Sequence, residues 1–141
     1  MGQEITASGE SRDADTTLEP GCIFCSILTG KIPAARVRET ERTLAFRDIA
    51  PQAPAHLVVI PKTHTYANAA ELAAGDPALA AELLRDAAAV AAAEGLAETG
   101  YRLVFNTGEY AGQTVFHVHL HVLGGDPLGR FGVPDAPAAA E

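Results

Sequence analysis

At 141 residues, 48% of them apolar, the chain has material for one compact domain and too little for a two-domain enzyme. No apolar run approaches the roughly 18 residues of a membrane span, so no membrane partner is expected. A formal net charge of −8 without clustered Lys and Arg argues against a duplex-binding surface, and no nucleic-acid partner is expected.

About half of that charge lies in the first stretch, where Glu4, Glu10, Asp13, Asp15 and Glu19 face Arg12 alone. With so few apolar groups it cannot offset ordering entropy, and residues 1–20 are expected to be a disordered acidic tail. The domain is expected over residues 21–132, with a flexible low-complexity tail at 133–141. Cys22 and Cys25 follow no secretory signal, which points to a reduced, cytoplasmic setting.

Phe24 to Leu28 suits one or two helical turns before Gly30 and Pro33 interrupt. Ala35 to Arg38 and Thr43 to Arg47 read as strands around a polar turn. His56 to Ile60, bounded by Pro54 and Pro61, is apolar on both faces and belongs near the sheet centre. A short helix is expected over Ala67 to Ala73. A longer one is capped by Asp76-Pro77 and ended by Gly95, burying Leu79, Leu83, Leu84, Ala87, Val90 and Ala91 while Glu82, Arg85 and Asp86 stay mostly outside. Tyr101 to Asn106 and Thr114 to Leu123 complete the pattern as an antiparallel pair. Locally paired strands with one inserted long helix give an α+β fold.

His117-Val118-His119-Leu120-His121 places three imidazoles on one face of a strand and apolar groups on the other. Two chemistries can use such a row. The imidazoles can hold a metal ion, or one can attack phosphorus while its neighbours position and protonate other groups. A histidine with a pKa of about 6.5 is largely neutral, hence nucleophilic, at neutral pH. The loop before the row, with Gly108, Gly112, Gln113 and Thr114, offers donors suited to an anionic phosphate.

Gln113-Thr114-Val115-Phe116-His117-Val118-His119-Leu120-His121-Val122-Leu123-Gly124-Gly125 resembles the signature of the histidine triad superfamily, in its Hint branch. Cys22-Ile23-Phe24-Cys25, Ala45-Phe46-Arg47-Asp48-Ile49, Pro51 to His56, Val59-Ile60-Pro61-Lys62 and Asn106 fall in that branch's order, and the likeness covers about residues 21 to 125. The resemblance implies a five-stranded antiparallel sheet with one long and one or two short helices, and a homodimer whose sheets join into ten strands. It also implies a purine nucleoside phosphoramidase acting on a purine nucleoside monophosphate carried as its phosphoramidate. By the same resemblance His119 is the nucleophile, His121 contacts the phosphate, and His117 and His56 orient the nucleophile and pass protons. Phe24, Ile27, Phe46 and Ile49 would form the base slot, Asp48 would hold the ribose, and Asn106, Gly112, Gln113 and Thr114 would complete the nucleotide site.

No cofactor is expected to be needed for catalysis. Some relatives of the superfamily bind structural zinc, and Cys22, Cys25, His64 and His117 would be its ligands here. A dinucleoside polyphosphate hydrolase or nucleotidyl transferase, and a nucleotide-binding interaction protein with incidental hydrolysis, are the alternative readings. The ending departs from the branch, with Asp126 after the glycine pair and Phe131-Gly132-Val133-Pro134 beyond it, and this leaves the leaving-group preference open.

Overall fold

The computed structural model describes residues 17–134; most of the expected acidic tail and the end of the chain lie outside the described residues. Helix α1 (Ile23–Leu28) is followed by strands β1 (Arg36–Glu39), β2 (Thr43–Arg47) and β3 (Ala55–Pro61). Helices α2 (Ala69–Gly75) and α3 (Pro77–Ala93), strand β4 (Tyr101–Val104), a 3-10 turn (Glu109–Ala111) and β5 (Leu120–Gly124) follow. The strands form one five-stranded sheet in the order β1-β2-β3-β5-β4, with every neighbouring pair antiparallel. No helix among the described residues is long and apolar enough to cross a membrane.

The period of two along each strand divides the sheet into two faces. Ala45, Leu57, Val59, Leu120 and Val122 point one way and pack with Leu72, Leu79, Leu83, Ala87, Val90 and Ala91 of α2 and α3. Leu44, Phe46, Val58 and Ile60 point the other way, where Ile27 of α1 covers them together with Phe24 and Leu28. As expected, β3 is the central strand and is apolar on both sides.

Helix α3 begins where Asp76 accepts the Leu79 N–H and Pro77 takes the first turn. Two expectations for it are corrected. Leu84 is half-exposed, and Asp86 is completely buried, accepting from Arg38 Nε at 3.0 Å and from the Thr43 hydroxyl. A charge on the apolar stripe is tolerated because Arg38 and Thr43 satisfy both of its oxygens.

The expected strands are also trimmed. Tyr101 to Asn106 ends at Val104, and Thr114 to Leu123 begins only at Leu120. The ladder between β3 and β5 stops at Val59 and Leu120, and in continued register Pro61 would face Val118. Pro61 has no N–H to donate, its carbonyl oxygen is taken by the His117 ring, and Val118 N–H turns instead to the Tyr66 carbonyl at 2.9 Å. Residues 17 to 20, expected in the tail, are tied down in part: the Thr17 carbonyl accepts from His64 N–H at 2.6 Å, and Glu19 N–H points at Cys25 Sγ at 3.3 Å.

Candidate active site

One cavity of about 320 Å³ opens on the α1 side of the sheet, lined by Phe24, Ile27, Phe46, Asp48, Ile49, Asn106, Gly112, Gln113, Thr114, His119 and His121. Its volume lies at the low end of the range, roughly 300 to 1,000 Å³, of small-molecule sites. Every nucleotide-site residue named from the sequence is on its wall, although the segments that bring them lie far apart in the chain. Ile27 and Phe46 are buried in the core and make the floor, whereas Ile49 is 88% exposed and stands at the rim. Phe24 meets Phe46 edge-on at 5.7 Å and His119 at 4.9 Å. The cavity is thus apolar toward α1 and polar toward the imidazoles.

Hydrogen bonds to the backbone fix which nitrogen of each imidazole carries a proton. Nδ1 of His119 donates to the His117 carbonyl at 2.8 Å, so Nε2 of its neutral ring keeps a lone pair. Gln52 N–H donates to Nδ1 of His56 at 3.1 Å, leaving the proton of His56 on Nε2, which donates to Nδ1 of His121 at 2.9 Å. His121 is left with Nε2–H as a donor. Burial lowers His119 and His56 below the usual imidazole range, and burial with the neighbouring His119 and His56 holds His121 down to about 4. The site therefore presents one neutral acceptor and one neutral donor side by side, with ring centres 5.0 Å apart.

His117 departs from the row. Its buried ring donates Nε2–H to the Pro61 carbonyl at 2.9 Å, and its Nδ1 points away from the cavity toward Cys22 and Cys25. Orientation of His119 comes from the His117 backbone carbonyl, and the His117 ring has no nitrogen free to pass protons to the cavity. Gln113 is likewise corrected as a side-chain donor. It lines the cavity, but its Oε1 accepts from Gly108 N–H, and its Nε2 donates to the Ala67 and Val115 carbonyls at 2.7 and 3.1 Å. It braces the loop in which Gly112 takes the left-handed backbone that the turn requires, at φ 82°. That brace and Gln52 were missed in the sequence, because a backbone-directed hydrogen bond leaves no periodic signal.

Cys22, Cys25, His64 and His117 converge beneath α1. Cys22 Sγ and Cys25 Sγ lie 3.6 and 3.5 Å from His117 Nδ1, Cys25 Sγ lies 3.5 Å from His64 Nδ1, and the two Nδ1 atoms are 3.3 Å apart. Metal–sulfur and metal–nitrogen bonds of about 2.3 and 2.05 Å in a tetrahedron put S and N about 3.5 Å apart and two N about 3.3 Å apart. The donor set therefore fits zinc. Backbone N–H groups of Glu19 and Cys25 also point at the two sulfurs, as thiolates require. Without a cation, burial pushes the Cys25 thiol up to about 11. Asp48, His56 and His121 form a second group, but there the nitrogens of His56 and His121 are bonded to each other at 2.9 Å instead of converging on a shared point.

A HIT domain model matches residues 29–128. An uncharacterized HIT-like protein of Synechococcus elongatus is 53% identical over 106 residues, covering 75% of this chain and 91% of the relative. The purine nucleoside phosphoramidase of Escherichia coli is 41% identical over 107 residues, covering 76% and 89%. Among solved structures, a HIT family hydrolase from Legionella pneumophila matches with TM-score 0.73 and 50% identity over 77% of this chain and 96% of that one. Another from Clostridium thermocellum matches with TM-score 0.77 and 40% identity over 82% and 100%. With the imidazole geometry and these relatives agreeing over most of the chain, the protein belongs to the HIT, or histidine triad, family.

Proposed function

We propose that the protein hydrolyses the P–N bond of purine nucleoside phosphoramidates through a covalent nucleotidyl intermediate on His119. The observation that carries this reading is the Nδ1–H bond of His119 to the His117 carbonyl, which leaves Nε2 as a lone pair on a ring lining the cavity. Nε2 attacks phosphorus, the P–N bond breaks, and the nitrogen departs as an amine after taking a proton. Water then attacks the same phosphorus, the bond to Nε2 breaks, and the nucleoside monophosphate leaves. One proton is delivered in the first half and one is returned by water in the second. His121, with Nε2–H beside the nucleophile, is the group placed to donate to the phosphoryl oxygens while keeping its proton, and His56 and the Gln52 backbone hold its ring. The departing nitrogen takes its proton from solvent, which recovers one from the attacking water.

Asp48 supplies carboxylate oxygens for the vicinal ribose hydroxyls, and the wall of Phe24, Ile27 and Phe46 receives the flat base. The name of the Escherichia coli relative supports this substrate class, and that of the Legionella relative supports a hydrolase. Cys22, Cys25, His64 and His117 would hold a structural zinc ion, which when bound supplies a closed cross-link with no open coordination position. Catalysis rests on His119 alone as nucleophile, with no metal in the bond-breaking steps. A homodimer built along the edge strand β4, where Tyr101 and Leu103 are partly exposed, completes the reading.

The test is turnover of an adenosine phosphoramidate beside a diadenosine polyphosphate, with mass spectrometry of enzyme quenched during the reaction. Faster phosphoramidate hydrolysis and an adenylyl adduct on His119 are expected. Preference for the polyphosphate would replace the substrate class, and an adduct on another residue would refute the mechanism.

A further inference from the structure

His117 belongs to two sites at once. Its ring closes the thiol and imidazole cluster through Nδ1, while its carbonyl oxygen, 2.8 Å from His119 Nδ1, sets the proton position of the nucleophile. The ring cannot turn freely, because its Nε2–H is anchored on the Pro61 carbonyl at 2.9 Å. Movement of the Nδ1 atom therefore moves the backbone that carries the carbonyl.

A second connection runs through α1. Cys22 caps that helix and Cys25 lies one turn on, with Phe24 between them in sequence. Phe24 touches both imidazoles, with its ring centre 5.8 Å from that of His117 and 4.9 Å from that of His119, and it also lines the cavity. Holding the two sulfurs at tetrahedral distances holds the base wall. A nucleotide pressing on Phe24 and His119 in turn favours the arrangement in which the four donors converge.

We infer that the Cys22–Cys25–His64–His117 cluster is a positioning element for the nucleotide site, so that occupancy by a thiolate-preferring divalent cation and binding of a purine nucleotide strengthen each other. This rests on the nucleotide reading above and adds to it a thermodynamic link between two places in the molecule. Linkage requires the coupling to be reciprocal: the factor by which the cation tightens the nucleotide must equal the factor by which the nucleotide tightens the cation.

Cobalt(II) in place of zinc gives the cluster a visible spectrum that reports its geometry. AMP titrated into the cobalt-loaded full chain is expected to shift that spectrum with the same midpoint as calorimetric AMP binding. Chelator competition should then show the cation held at least about fivefold tighter at saturating AMP, the lower end of ordinary coupling. His64→Ala, verified as folded by circular dichroism, should weaken AMP binding by a similar factor. His64→Cys, which restores a fourth ligand, should recover it. Equal chelator midpoints with and without AMP and an unmoved spectrum would overturn the inference, as would a chain that takes up no cobalt. If the cobalt-loaded chain does not bind AMP at all, the nucleotide reading falls and takes this inference with it.

Discussion

The two faces of the sheet are made from the same strands and have opposite characters. Toward α3, strands β2, β3 and β5 present Ala45, Leu57, Val59, Leu120 and Val122 to a seventeen-residue helix that closes over them. Toward α1, a six-residue helix covers only Leu44, Phe46, Val58 and Ile60, and the rest of the face opens into the cavity. All five histidines of the chain lie on this second side or at its edge. Alternation along a strand thus assigns stability to one face and chemistry to the other. A short covering helix leaves room for a ligand that a long one would exclude.

Substitutions on the two faces should separate these assignments. On the open face, His119→Ala removes the proposed nucleophile and should lower kcat by about four orders of magnitude or more in a phosphoramidate assay, with AMP binding and Tm little changed. A comparable loss of Tm would show that the ring is part of the core. On the closed face, Leu83→Ala deletes a completely buried side chain and should cost roughly 2–5 kcal/mol in urea unfolding, with kcat unaltered at temperatures where the variant is folded.

Lowering the pH should probe the open face most strongly, through its buried imidazoles. His121 has its folded pKa held to about 4, below the unfolded value near 6.5, so the native state binds fewer protons. Its contribution to stability is whole above 6.5 and is lost as pH falls toward 4, at a limiting rate of roughly 1.4 kcal/mol per pH unit. Urea melts of wild type and His121→Asn across that window should diverge. Parallel curves would contradict the assignment. The smallest effect is expected at the closed face's helix start, where Asp76→Ala removes both the cap on the Leu79 N–H and the ion pair with Arg42 at 2.9 Å and should cost about 1–2 kcal/mol, while Asp76→Asn keeps the cap, loses only the charge and costs less. Neither change should alter kcat.

Much of this division was legible in the sequence. Periodicity located α3 and the central strand, Asp76-Pro77 marked a helix start, and the spacing of His117, His119 and His121 against Val118, Leu120 and Val122 assigned the faces. What escaped was decided by single polar contacts between distant segments. Asp86 reads as a surface charge until Arg38 and Thr43 are brought to it. The strand before Leu120 reads as continuous until the missing N–H of Pro61 ends its ladder. By alternation His117 reads as a third member of the catalytic row, and only its contacts with Pro61, Cys22 and Cys25 show that its ring serves the thiol cluster alone. The Cys22 and Cys25 spacing alone does not reach His64, which the family resemblance named with them and the fold brings alongside.

The pairing of β3 with β5 has a kinetic consequence. His56 and His121 are 65 residues apart in sequence and meet only when these two central strands zip together. Contacts of that separation carry a large loop-closure entropy and tend to form late. In refolding from denaturant, recovery of nucleotide binding should therefore lag behind the return of helical signal from α3, and a chain stalled before that zipper closes would be helical yet inert.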